Sequence, residues 1–330
     1  MLGHRKGLDR LEANPDGRSL IGESSRIDPL RSGKRSPGPE PPTKLPMKAA
    51  ARLLLFWDYD TQWGADRSRI AGGPKDWGPL EFENTDRLLQ LLARYRIPAC
   101  FAVVGSAALP GERPYHDAGQ IRRIHEAGHE VGSHSHRHEW LPGLDRERLR
   151  ETLRSSKDAL EQCIGAAVTT FVPPWNEPFD YPQRWSFSLS ERREAAGGRT
   201  DLRRLCEALR DSGYLFSRVS YRPVFQRLAD RILRRPYDCL GHLETIAGVL
   251  CARLNTHGGF GEDTRRSLEH NIEHGTLTVA YGHPHSLTLG NSQDERYLVP
   301  FLERVQELRS RGLLEVMRPR DLVSVPSTVG

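Results

Sequence analysis

The stretch ARLLLFWDYDTQWG, residues 51–64, decides the fold. Apart from Arg52 it runs apolar without alternation from Ala51 to Trp57, and then delivers two carboxylates, Asp58 and Asp60. A strand with one wet face alternates polar and apolar residues. An unbroken apolar run instead suits a strand covered on both faces, as in parallel sheets flanked by helices. The downstream segments fit that reading. NTDRLLQLLARYR (84–96) is an amphipathic helix with Asn84 or Thr85 as its cap, and IPACFAVVG (97–105) is a second buried strand. HDAGQIRRIHEAG (116–128) is a helix closed by Gly128, HEVGSH (129–134) a strand, LDRERLRETLRSSKDALEQCIG (144–165) a helix and AVTTFVPPW (167–175) a strand. Further along come TDLRRLCEALRDSG (200–213, helix), YLFSRVSY (214–221, strand), GVLCARLN (248–255, strand) and DTRRSLEHNIEHG (263–275, helix). TLTVAYGH (276–283, strand) and ERYLVPFLERVQELRSRG (295–312, helix) complete the series. Strands alternating with helices pair in parallel through crossovers. The expected fold is therefore α/β, a distorted (β/α) barrel of about seven parallel strands.

Residues 1–46 stand apart. They are dominated by Gly, Pro, Ser and Arg, and no hydrophobic period survives in them. They read as a disordered basic tail, with Met47 as the expected true translation start and 47–330 as one catalytic domain. The basic start is not followed by an apolar core, so it is not a secretory signal. Nine basic and six acidic residues fall before residue 47, so most of the net charge of +5 belongs to the tail. The remainder is close to neutral, which gives no electrostatic case for nucleic acid. No apolar run reaches the length of a membrane span. The five cysteines are scattered without a CxxC, which argues against a disulfide framework and suits a reducing, cytoplasmic setting. No GxGxxG or P-loop is present. Nothing in the sequence specifies an oligomeric state.

The polar residues of interest collect where strands end. Asp58 and Asp60 close the first strand, His134 follows the third, Trp175 ends the fourth and His283 closes the last. In parallel α/β folds this is the edge at which ligands and catalytic groups gather. VGSHSHRHEW (131–140) adds a histidine triplet, His134, His136 and His138. One HxxxH pair among thirteen histidines carries little weight alone. Two imidazoles and one carboxylate are nevertheless a common open metal site, and Asp58 or Asp60 could supply the carboxylate.

In these motifs, taken in order, the chain resembles the polysaccharide deacetylase family, the NodB-homology or carbohydrate esterase 4 group. FWDYDTQWG matches its first motif, GHEVGSHSHRH its second, FVPPW part of its third, and YGHPHS the histidine at the tip of the last strand. The strand IPACFAVVG also resembles the family's. The resemblance implies Asp58 as general base, with Asp60, His134 and His138 as ligands of a divalent metal, zinc first and cobalt, nickel or manganese as alternatives. It further implies His283 as general acid, with His285 as competitor, and the backbone N–H of Trp175 as an oxyanion donor. Trp63, Pro174 and His285 would contact substrate. Two departures stand out. The arginine that opens the family's third motif and holds the catalytic aspartate is Val172 here, with Arg67, Arg69 or Arg137 as candidate substitutes. No segment matches the fourth motif, whose aspartate tunes the acid histidine.

His136 is read as pointing away from the metal and His129 as a structural turn residue. His116, His125, His270 and His274 are read as surface or boundary residues. The irregular segment 176–200 could be a lid. All six tryptophans lie between positions 57 and 185, which suits either sugar stacking or core packing. The expected function is metal-dependent removal of an N-acetyl group from an amino-sugar substrate. The alternatives are hydrolysis of a cyclic imide or ureide, a catalytically weak carbohydrate-binding homologue, and an iron oxygenase, whose usual all-β scaffold conflicts with this pattern.

Overall fold

A computed structural model of the chain describes residues 50–68, 76–178, 200–219 and 241–323. The expected tail, Arg69 and nearly all of the suggested lid lie outside the described residues. The elements follow the alternating order. Strand β1 (Ala51–Tyr59) is followed by helices α1 (Thr61–Arg67) and α2 (Gly78–Tyr95), and by β2 (Cys100–Val103). Next come α3 (Ala118–Glu126), β3 (Glu130–Ser133), α4 (Arg146–Ile164), β4 (Thr170–Phe171), α5 (Leu202–Asp211) and β5 (Phe216–Val219). The last third holds β6 (Leu243–Ile246), β7 (Val249–Arg253), α6 (Glu262–His274), β8 (Leu277–Gly282), α7 (Glu295–Ser310), β9 (Leu314–Met317) and α8 (Pro319–Val323).

The helices start where aspartate can cap them. Asp117, Asp145 and Asp201 each accept a hydrogen bond from the backbone N–H three residues on, at 2.7, 2.9 and 2.8 Å, satisfying donors that a helix leaves unpaired. Helix α2 differs from the sequence reading. It begins at Gly78, with a proline in its first turn, and not at Asn84 or Thr85. Pro79 is tolerated there because the first-turn N–H has no helical partner to lose. Asn84 is inside the helix, and its amide donates to His285 O and Thr288 Oγ1 instead.

The sheet runs β6-β7-β5-β4-β3-β2-β1-β8, with β9 added beside β1. All pairs are parallel except the β6–β7 hairpin. Ala247 and Gly248 at its tip both have positive φ, 50° and 88°, as a tight two-residue hairpin turn demands. β6 and β9 are not in the sequence reading. Both are four residues long, and neither carries a long apolar run. The expected barrel is present as a curled, mostly parallel sheet whose two ends are not joined by a backbone ladder. Isolated bonds from the segment after β7 bridge the seam instead: Thr256 Oγ1 donates to Val279 O and Gly259 N–H to Tyr281 O, each at 2.8 Å. Asn255, buried just after β7, donates to Leu277 O and accepts from Val279 N–H, each at 2.8 Å. Its amide thus stands where a neighbouring strand's peptide group would stand.

Strand parity then places the site. Leu53, Leu55, Trp57 and Tyr59 face the helices and pack with Leu88, Leu92, Ile121, Leu153 and Leu302. Leu54 and Phe56 face inward, with Cys100, Ala102, Val172, Phe216, Ala252 and Val279. Because successive side chains alternate, Asp58 shares the inner face with Phe56, and Arg218 shares it with Phe216.

Candidate metal-binding active site

Asp60 is the residue at which β1 passes into α1. A Cβ on Gly64, one turn on, would fall 2.5 Å from Asp60 Cβ, so the helix can approach the carboxylate only with glycine there. His134 follows β3, and His138 closes the next turn at φ 56°. Asp60, His134 and His138 are all buried. Asp60 Oδ1 lies 3.4 Å from His134 Nε2 and 3.6 Å from His138 Nε2, and it has no hydrogen-bond partner among the described residues. His134 Nδ1 donates to Val172 O at 2.7 Å, which leaves Nε2 as the ring's lone-pair nitrogen. Three ligand atoms of the right kind therefore converge, as the motif reading expected. Two donors at opposite edges of a tetrahedral zinc site, with bonds of about 2.0–2.1 Å, are separated by roughly 3.3–3.4 Å, so the spacing fits a small divalent cation.

The electrostatics agree. Burial, reinforced by Arg218 and His283, pushes His134 down to about 4 despite Asp58. Burial, then His134, His283 and Arg67, pushes His138 well below its ordinary value. Both imidazoles are thus neutral at physiological pH, the form that ligates metals. Asp60 is pushed well above the usual carboxylate range, by burial first and then by Glu81 and Asp58.

Asp58 is held differently. Arg218 on β5 reaches it with both terminal nitrogens, Nη1 to Oδ1 at 2.8 Å and Nη2 to Oδ2 at 2.6 Å. Burial would raise this carboxyl, but Arg218, with His134 and His283, outweighs it and leaves Asp58 below its ordinary value. Neither described candidate arginine has this position. Arg137 sits over the Trp63 ring at 5.7 Å, and Arg67 ends α1. Arg218 could have been suspected from YLFSRVSY, where a single charge interrupts an apolar strand on the parity of Phe216.

His283 Nε2 faces Asp58 Oδ2 at 3.9 Å. Its Nδ1 pairs with Gln293 Oε1 at 3.0 Å, and Gln293 also accepts the His283 backbone N–H at 2.6 Å. A neutral amide thus occupies the place expected of an orienting aspartate. Burial, opposed by Asp58, lowers His283 from its ordinary value. His285 is turned elsewhere: Nδ1 lies 3.1 Å from Glu81 Oε2, and the ring stacks on Trp77 at 4.5 Å. Burial pushes Glu81 up to about 8. No sequence signal marks Glu81, Trp77 or Gln293.

Trp175 has φ 55° and Asn176 φ 58°, left-handed conformations that non-glycine residues adopt only when their surroundings compel it. The Trp175 ring meets His138 edge-on at 4.4 Å and Trp140 at 5.6 Å. Pro174, buried, opens the same turn. Trp63 packs on Tyr115 at 5.2 Å and His116 at 5.9 Å. His136 stands outside the trio; its backbone N–H donates to Thr152 Oγ1. His129 accepts the Ala99 N–H at Nδ1, the structural part expected of it.

Comparison with known proteins finds similarity in part of the sequence and in the fold. Residues 75–181 match the family profile described as polysaccharide deacetylase. That segment takes in His134, His138 and Trp175, while Asp58, Asp60, Arg218 and His283 lie outside it. A peptidoglycan deacetylase of Helicobacter pylori is 32% identical over 91 residues, 28% of this chain and 29% of the relative. The chain spans between 28% and 38% of the length of the curated relatives it matches. Among solved structures, a Mycobacterium smegmatis protein classed as a polysaccharide deacetylase superposes with a TM-score of 0.57 at 18% identity, covering 87% of this chain and 93% of that one. PuuE allantoinase superposes with a TM-score of 0.55 at 17% identity and the same coverage. Both show the same fold.

Proposed function

We propose that the chain is a NodB-like member of the polysaccharide deacetylase family and, within it, a metal-dependent hydrolase that removes an N-acyl group, expected to be acetyl, from an amino-sugar substrate. The observation that carries this reading is the convergence of His134 Nε2 and His138 Nε2, at 3.4 and 3.6 Å, on Asp60 Oδ1, a buried oxygen with no hydrogen-bond partner among the described residues. When bound there, a divalent ion, zinc first and cobalt, nickel or manganese after it, would supply Lewis acidity toward water and the acyl carbonyl.

The chain's own groups divide the remaining work. Asp58, kept anionic and fixed in plane by Arg218, accepts the proton of the attacking water. His283, across from Asp58, delivers a proton from Nε2 to the departing amine. The alternative acid, His285, is engaged by Glu81 and Trp77, which supports His283 in this role. Trp175 walls the metal side of the cleft, with its backbone N–H as the proposed oxyanion donor. Trp63 and Pro174 are the proposed substrate contacts. A cytoplasmic setting belongs to the same proposal and makes soluble or lipid-linked amino sugars the first substrates to test.

The test is acetate release from a panel of N-acetylated sugars by metal-depleted protein reconstituted with each ion. Release that requires metal and disappears in Asp58→Asn, with metal content retained, supports the reading. A ring-opened product from a cyclic imide or ureide moves the activity to that bond. Sugar binding without turnover under any ion makes the protein a carbohydrate binder.

A further inference from the structure

We propose that Arg218 is the positioning residue for the base Asp58, a role supplied from β5 and tied through Asn176 to the Trp175 turn. The inference rests on the function proposed above. Arg218 is fully buried, and a guanidinium is among the most costly groups to remove from water. Its Nε has no hydrogen-bond partner among the described residues, so these do not take up every donor the side chain offers. It commits the two terminal nitrogens to the two oxygens of Asp58, with Nη2 also donating to Asn176 Oδ1 at 2.9 Å.

The fork has a geometric consequence. Two parallel hydrogen bonds hold a carboxylate in the guanidinium plane, where a single donor would leave it free to turn. The guanidinium is itself packed against two aromatic rings. It lies 4.5 Å from the centroid of the Tyr281 ring and 5.2 Å from that of Phe56, on β8 and β1. Asp58 Oδ2 is thereby presented to His283 Nε2 at 3.9 Å. The neighbouring strand end contributes no charge here. Val172 is apolar, and what it gives the site is its carbonyl, which receives the His134 Nδ1 proton. The metal histidine and the base are therefore oriented from adjacent strands by different means, a backbone oxygen on one side and a forked cation on the other.

Lysine cannot reproduce the fork, so charge and geometry can be separated. Arg218→Lys and Arg218→Met are compared with the wild type for acetate release, zinc content and thermal unfolding. Zinc content is expected to stay at wild-type level and KM to move less than threefold. The kcat is expected to fall by about 10²-fold or more in both variants, the order of loss that a misplaced reacting group produces. In Arg218→Ala, millimolar guanidinium is expected to restore part of kcat where methylammonium does not, which a merely structural role would not produce. If Arg218→Met fails to fold, Asp58→Asn/Arg218→Met removes both charges together, and it should be no slower than Asp58→Asn alone. Folded, zinc-loaded Arg218→Met with kcat within threefold of wild type would overturn the proposal, as would a further large loss in the double variant. Wild-type protein without acetate release from any sugar counts against the proposed function and not against Arg218. Crystals of zinc-loaded Arg218→Lys then decide: a rotated or divided Asp58 carboxylate supports the inference, and a single unmoved one refutes it.

Discussion

Asn255→Leu tests how much of the sheet's closure rests on this side chain, beside the Thr256 Oγ1 bond to Val279 O and the Gly259 N–H bond to Tyr281 O. Leucine is close to asparagine in size but makes neither hydrogen bond, so Leu277 O and Val279 N–H each lose a partner at 2.8 Å. Asn255 is only 4% exposed, so water cannot readily replace it. Leaving a buried backbone group unsatisfied costs ~1–3 kcal/mol, so the pair costs roughly 2–6 kcal/mol. For a domain of this size that corresponds to a fall in Tm on the order of 10 °C. Urea unfolding followed by circular dichroism measures the first quantity and calorimetry the second. The effect should reach catalysis selectively. β8 leads directly into His283, whereas Asp60 and both metal histidines are carried by β1 and the segment after β3. Turnover is therefore expected to fall while zinc affinity stays near wild type. A loss below about 0.5 kcal/mol, the size of an ordinary surface change, would refute the seam.

Other consequences can be checked as directly. His129, 5% exposed, is held at about 4 by burial, against an ordinary value of 6.5. Between those values the unfolded chain takes up a proton that the folded chain refuses, so stability falls as pH drops. From pH 7 to pH 5 the loss attributable to this group is about 2 kcal/mol, and urea titrations of His129→Gln should show a correspondingly shallower slope; parallel slopes would exclude it. Gly64→Ala drives a methyl against Asp60 and is expected to weaken zinc binding at least tenfold in competition titrations with a chelating dye, whereas unchanged affinity would mean that the contact relaxes freely. His283→Asn should cost about 10²–10⁴ in kcat with KM little changed, and His285→Asn much less; the reverse order would exchange their roles.

The legible part of this protein was its parallel alternation and its metal trio, for one physical reason. Strands buried on both faces must be apolar throughout, so the acids and histidines at their ends stand out against the background. The helix boundary at Gly78 was hidden because Asn84 is a strong capping residue in isolation, while the fold uses its amide to tie α2 to the segment after His283. Arg218 was hidden because its partner lies 160 residues away, a pairing that only strand order β5-β4-β3-β2-β1 reveals. Gln293 and Glu81 were hidden because an amide in a loop and an acid in a helix's first turn are commonplace until the fold brings a histidine to each. The β6–β7 hairpin depends on Ala247 and Gly248 at positive φ, and alanine gives no warning of that conformation.

X-ray absorption spectroscopy of zinc-loaded protein tests the metal site most directly, alongside metal analysis of Asp60→Asn, His134→Ala and His138→Ala. One zinc per chain with two imidazole nitrogens and a carboxylate oxygen at about 2.0–2.1 Å, lost in each variant, is the expected result. Full zinc occupancy in the two histidine variants, or a spectrum without imidazole scattering, would contradict the assignment.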